Sequence, residues 1–307
     1  MAMANKLCIV SGANSGIGRV IATELAQMQA RVIMACRSEE RTLPVVKDIK
    51  ELTGNQNVEY WPLDLASLAS VRSFAKRVGE SPVGVDVLVS NAGIMNGKRE
   101  LTADGFETNW QVNALAPFLL ARLLLPSLSK AATTSGGSSP SRLVYVGSML
   151  DKKGDLSDLD TVADPKRRFD ASNREKFSPF DTYGTAKLAA TLLHTELARQ
   201  AQAEHPGVCI NVVSPGVVNT HLFQHMLPPW AKFMTGPIRF FLSFVMISPF
   251  EGAKTPLAVA TSPEEQYLVT GKYFRNLHQM DRQDTIPIDD VALATKLWET
   301  CDAMAPP

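Results

Sequence analysis

In the stretch DTYGTAKLAATL, Asp181 to Leu192, a tyrosine and a lysine stand four residues apart in a helical pattern. Positions i and i+4 share a helix face, so the ammonium of Lys187 can approach the phenol of Tyr183. A free tyrosine titrates near ~10. An adjacent positive charge stabilises the phenolate and lowers that value, which would give a general acid or base suited to neutral pH. Two other stretches supply what such a pair needs. Ser148 ends the apolar run SRLVYVGS, where its hydroxyl can hydrogen-bond a carbonyl oxygen and steady the charge that develops on it. CIVSGANSGIG carries Gly12, Gly16 and Gly18 directly after an apolar run and at the opening of a helical pattern. Such a turn lets the backbone approach a pyrophosphate, whose charge the helix N-terminus favours.

The elements that must hold these residues alternate regularly. The runs KLCIVS, RVIMAC, VEYWPL, VDVLVSN, SRLVYVGS and VCINVVSPG are apolar on both faces, and helical segments separate them. The first helix runs from Ile17 with Val20, Ile21, Leu25 and Met28 on one face. This pattern predicts an α/β fold: a Rossmann-like, doubly wound parallel sheet with helices on both faces. In open sheets of this kind ligands bind at the carboxyl ends of the strands, where both Ser148 and the glycine turn fall. Three stretches break the rhythm. Residues 131–141 read as a small polar loop, 151–178 as a charged insertion, and 222–249 as an irregular segment rich in Pro, Phe and Met. The expected organisation is a single dinucleotide-binding domain over 1–307 with a C-terminal substrate lid.

Composition narrows the partners. The 307 residues carry 31 basic and 31 acidic side chains and no dense Lys/Arg run, so there is no electrostatic footprint for nucleic acid or an anionic membrane surface. Cys8, Cys36, Cys209 and Cys301 form no C-x-x-C pair, and the first three fall in strand-like runs as small core residues. No secretory signal opens the sequence. The apolar stretch GPIRFFLSFVMISPFEG is broken by Arg239 and Pro249 and falls short of the ~20 residues a spanning helix needs. These features suggest a cytoplasmic or organelle-peripheral protein. His221 and His225 are four apart, but without an H-E-x-x-H pattern or a third ligand no metal site is expected.

The second apolar run ends MACRSEER, so Arg37 stands where a carboxylate would otherwise bond an NAD ribose. A basic residue there suits a 2′-phosphate and favours NADP(H) over NAD(H). The plainer reading is an exposed arginine paired with Glu39 or Glu40. Asp64, in PLDLAS, either accepts from an adenine amino group or caps the following helix.

Taken together, SGANSGIG, SNAGI, Asn113 in GFETNWQVNALAPFLLARLLL, Ser148, YGTAK and SPGVVNT resemble the short-chain dehydrogenase/reductase superfamily, in order and over most of the chain. ACRS, DGFETNWQVN and SPEEQYLVTGKYF are most similar to its retinol dehydrogenase branch and relatives, including the WW-domain oxidoreductases; RLVYVGS and GDLSDL also resemble the protochlorophyllide reductases. The resemblance implies hydride transfer between a nicotinamide and a carbonyl/alcohol pair. Tyr183 would be the acid/base, Lys187 would lower its pKa and hold the nicotinamide ribose, and Ser148 would bind the substrate oxygen. Asn113 would support a water and proton path toward Lys187. Cofactor neighbours would be Gly12, Asn14, Ser15, Gly16, Ile17 and Gly18 in the turn, then Arg37, Asp64 and Leu65. Asn91, Ala92 and Gly93 would follow, with Pro215, Gly216, Val218 and Thr220 near the nicotinamide. Ser11 stands where the family usually has threonine, keeping the hydroxyl. VNALAPF replaces VNHLGHF, removing two histidines near the active-site helix. Leu188, Ala189 and Ala190 follow the lysine where protochlorophyllide reductases have a cysteine, so photochemistry is not expected.

The branch favours NADP(H) and apolar substrates of retinoid, steroid or other lipid-like character. Trp230, Phe233, Met234, Phe240, Phe241, Phe244 and Met246 would roof such a substrate. The same segment also reads as a helix packed on the core or an oligomer interface, or as a surface dipping into a membrane. The family often forms dimers or tetramers through the helix bearing Tyr183, so a homo-oligomer is implied. The competing reading is a non-catalytic dinucleotide-binding subunit of a larger assembly.

Overall fold

A computed structural model describes residues 3–134, 139–157, 159, 178–216, 218, 247–280 and 290–307. All six apolar runs are strands: β1 (Leu7–Ser11), β2 (Arg31–Cys36), β3 (Val58–Pro62), β4 (Val87–Ser90), β5 (Ser141–Val146) and β6 (Val208–Ser214). Two short strands, β7 (Tyr273–Arg275) and β8 (His278–Gln279), extend the sheet beyond β6. The order is β3-β2-β1-β4-β5-β6-β7-β8, parallel throughout except for the β7–β8 pair. The chain reverses its winding between β1 and β4, the place where open sheets of this type leave a crevice.

Strand period two divides the interior into two layers. Along β1, Leu7 and Ile9 join one cluster while Cys8 and Val10 join the other; along β5, Leu143 and Tyr145 take the first and Val144 and Val146 the second. The second layer packs under α1 (Gly16–Gln27) and α2 (Glu39–Thr53), together with α6 (Pro249–Thr261). The first layer packs under α3 (Leu68–Gly79), α4 (Thr108–Thr134), α5 (Pro179–Glu204) and α7 (Val291–Met304). All four cysteines are free and buried, as small core residues. Helix α4 is long and apolar enough by length and composition to cross a bilayer, yet 72% of its apolar window is buried within the protein. Its fully buried Phe118, Leu119 and Leu128 belong to the first layer, each contributing roughly 1.5–3 kcal/mol of burial.

Two boundaries differ from the sequence reading. The loop expected from residue 131 begins after Thr134, because Ala131 and Ala132 are buried and the hydroxyls of Thr133 and Thr134 bond back to the carbonyls of Ser129 and Lys130. Helix α5 starts at Pro179, ahead of the helical stretch read from Asp181, because Ser178 accepts from the Asp181 amide and Pro179 presets the first turn. Of the expected insertion, the described part begins with a 3-10 turn over Met149–Lys153. The apolar residues expected to roof a substrate lie outside the described residues, as do His221 and His225.

Candidate active site

Strand register brings the site together. Val10 pairs with Val89, Ser90 with Tyr145, and Val146 with Val213, so the ends of β1, β4, β5 and β6 lie side by side. The glycine turn, Asn91, Ser148 and Pro215 therefore emerge along one edge of the sheet.

At the turn, Gly12 and Gly16 have φ of 66° and 56°, where a side chain is strained. Gly18 serves packing: a Cβ there would lie 2.4 Å from the Gly12 carbonyl oxygen. The turn is tied to β4 by Ser11, whose Oγ accepts from the amides of Asn91 and Ala92 at 3.0 Å each. Asn91 Nδ2 donates to the carbonyls of Ser11 and Gly12. The hydroxyl kept at Ser11 thus has a structural use, and Asn91 acts on the turn itself.

The residues around the turn fit a pyrophosphate. Helices α2, α3, α5, α6 and α7 are closed by Ser38, Ser67, Ser178, Ser248 and Asp290. The N-cap of α1, Ser15, makes no side-chain capping bond, and the first turn holds no acidic residue. Partly exposed Asn14, Ser15 and Ile17 border these first-turn amides, which suit an anion.

Arg37 is exposed just past β2, and among the described residues no ion pair joins it to Glu39 or Glu40. Asp64 makes a local turn, its Oδ1 accepting from the Ala66 amide at 2.9 Å, while Ser67 caps α3. Leu65 is buried and its carbonyl accepts from Gln111 Nε2. Partly exposed Pro215 precedes Gly216, which has φ 84°. Val218 is buried, bridges to Ile247 and packs where a Cβ on Gly252 would meet it at 2.7 Å. Thr220 lies outside the described residues.

Tyr183 is buried, hydrogen-bonded to Ser148, and 5.9 Å separates its ring centroid from Lys187 Nζ. Ser148 caps the 3-10 turn, accepting from the Leu150 amide at 3.2 Å. Buried Lys187 donates to the Val146 carbonyl at 2.8 Å and to the Tyr145 hydroxyl at 3.1 Å. Gly93 leaves room here, since a Cβ would lie 2.8 Å from Asn113 Oδ1 and 3.5 Å from Lys187 Nζ.

Asn113 sits in a π-helical turn, Gln111–Leu115, of a kind that recurs at functional sites. Its side chain is occupied with the Ile94 amide and the carbonyls of Ile94 and Asn109, so what it presents toward Lys187 is its own carbonyl. That carbonyl accepts from the Tyr145 hydroxyl at 2.8 Å. The link from Asn113 to Lys187 thus runs through a phenol that the sequence reading took only as a strand residue.

Electrostatics correct one expectation. The Tyr183 phenol is pushed up, to about 12, by burial, which outweighs the lowering by its Ser148 bond; the Asp151 carboxylate adds to the rise. Burial also pulls the Lys187 ammonium down to about 7, against the opposing pull of Asp151. The ammonium was expected to lower the phenol; in this dry site desolvation dominates both groups. Burial thus favours the protonated phenol at Tyr183 and opposes the charge on Lys187. Asp151, like Tyr145, has partners that sequence spacing does not reveal. It is fully buried and accepts from the Tyr273 hydroxyl at 3.0 Å, and burial raises its carboxyl to about 6.

Residues 6–155 match the short chain dehydrogenase family model. Dehydrogenase/reductase SDR family member 13 of Bos taurus is 38% identical over 300 residues, spanning 98% of this chain and 73% of that protein. Retinol dehydrogenase 14 of Homo sapiens is 35% identical over 318 residues, spanning 98% of this chain and 87% of that one. Among solved structures, an uncharacterized protein from Mycobacterium paratuberculosis superposes with a TM-score of 0.72 at 27% identity, covering 98% of this chain and 94% of its own. Fold, site geometry and these similarities converge on one conclusion: the chain belongs to the short-chain dehydrogenase/reductase family, in its retinol dehydrogenase-like branch, as an oxidoreductase acting on alcohol and carbonyl groups.

Proposed function

We propose that this protein is an NADP(H)-dependent oxidoreductase of apolar aldehydes, ketones or the matching alcohols. The observation that carries the reading is the meeting of Ser148, Tyr183 and Lys187 at the strand ends beside a helix N-terminus left open for an anion. The glycine turn and α1 would hold the pyrophosphate, Arg37 the 2′-phosphate and Lys187 the nicotinamide ribose. A bound reduced nicotinamide would supply the hydride. The chain supplies the rest: the Ser148 hydroxyl donates to the substrate oxygen, and Tyr183, protonated through the neutral range, gives that oxygen its proton. Lys187 keeps a positive charge near the phenolate left behind.

The apolar substrate class rests on the sequence of 222–249 and on relatives named retinol dehydrogenase and, in Mus musculus, polyprenol dehydrogenase. A panel of apolar aldehydes and ketones, assayed with NADPH and with NADH, tests the reading. NADPH should be preferred, and Arg37→Ala should raise KM for NADPH by roughly tenfold or more, a charge-assisted phosphate contact, while leaving KM for NADH unchanged. Equal use of both cofactors by the unsubstituted protein would remove Arg37 from this role.

A further inference from the structure

Tyr145 lies on β5, three residues before Ser148, and side-chain alternation points it into the layer shared by α4 and α5. Its ring is fully buried and stacked on His194, with centroids 4.3 Å apart and planes 17° from parallel. Its hydroxyl sits between two groups and can bond both at once. One is the Asn113 carbonyl, 2.8 Å away. In an α-helix the amide of residue 117 would donate to that carbonyl, but residue 117 is proline and has no N–H. The other is the buried Lys187 ammonium, 3.1 Å away, whose other described acceptor is the Val146 carbonyl. A phenol has one proton to give and lone pairs to accept with. Giving the proton to Asn113 turns its lone pair toward Lys187.

We propose that Tyr145 is a positioning residue of the reaction, a fixed bridge from the Asn113 carbonyl that holds Lys187 in place and in its charged form next to Tyr183. This rests on the catalytic reading above. Tyr145 does not exchange protons itself, since burial raises its own phenol well above the ordinary range and its proton is held by Asn113. Among the described residues, the other ionisable groups around the ammonium are Tyr183 and His194 on its own helix and Asp151 on the turn after β5, bonded in turn to Tyr273 of β7.

Tyr145→Phe keeps the stack on His194 and removes the bridging oxygen. In the cofactor-free protein labelled with 13Cε-lysine, the NMR titration midpoint of Lys187 should fall by roughly one pH unit, the worth of a hydrogen bond to a charged group. In turnover, the rising limb of the pH profile for alcohol oxidation should move upward by a similar amount, because a less charged Lys187 stabilises the Tyr183 phenolate less. An unchanged Lys187 midpoint overturns the proposal. If the phenylalanine chain does not fold, the unsubstituted protein decides the matter. The Tyr145 ring signals should shift at the pH where Lys187 titrates, and signals constant through that pH refute the bridge. Absence of hydride transfer in the unsubstituted protein would overturn the catalytic reading instead, leaving the Lys187 midpoint to judge Tyr145.

Discussion

Asp151 and His194 are two buried ionisable side chains whose environments push them in opposite senses. Burial raises the Asp151 carboxyl to about 6 and lowers the His194 imidazole to about 4. His194 Nδ1 lies 2.7 Å from the Ala190 carbonyl, fitting a neutral ring that donates there, while its Nε2 has no partner among the described residues. A raised carboxyl stabilises the fold below its unfolded value and loses that contribution as pH climbs through about 6. A lowered histidine stabilises above its unfolded value and loses that contribution as pH falls toward about 4. In the window between about 4 and 6 the two slopes oppose each other. Asp151→Asn should therefore be more stable than the parent at pH 7, by on the order of 2 kcal/mol, and should lose stability more steeply on acidification. Urea unfolding at a series of pH values checks this, and equal stabilities at pH 7 would contradict it.

At the scale of elements, the turn between β1 and α1 is built before any ligand arrives. Ser11, Asn91 and Gly18 lock it to β4, and the open cap of α1 faces outward from that frame. Gly18→Ala would drive a methyl to 2.4 Å from the Gly12 carbonyl oxygen, and the backbone has to shift. The expected result is a loss of about 1–3 kcal/mol in stability, as for overpacking, with dinucleotide affinity lowered more than tenfold. Calorimetric titration with NADPH measures both affinity and the fraction of competent protein. Affinity equal to the parent's would show that the turn tolerates displacement. A second preset link lies in α4, where the Asn113 carbonyl in the π turn accepts from the Tyr145 hydroxyl of β5.

For the whole molecule, the sheet was legible because six runs, apolar on both faces, alternate with helical period, and strand ends fix where chemistry falls. Ser148, Tyr183 and Lys187 were legible through residue type and spacing. Strands β7 and β8 were not, since three and two residues are too short to show a period. Tyr145 and Asp151 were not because their partners are remote in sequence: Tyr145 meets Asn113 across 32 positions and Lys187 across 42, and Asp151 meets Tyr273 across 122. Alternation says that Tyr145 is buried; it does not say what it is buried against. The pKa of Tyr183 was misjudged because spacing reports a nearby charge and is silent on desolvation.

On the proposed mechanism, Tyr183 delivers the proton that accompanies hydride transfer. This role is tested most directly by single-turnover oxidation of bound NADPH with an apolar aldehyde in the parent and in Tyr183→Phe. The phenylalanine protein should bind NADPH as the parent does and transfer hydride roughly 10²–10⁴-fold more slowly, the usual worth of a positioned acid. Equal single-turnover rates in the two proteins would contradict it.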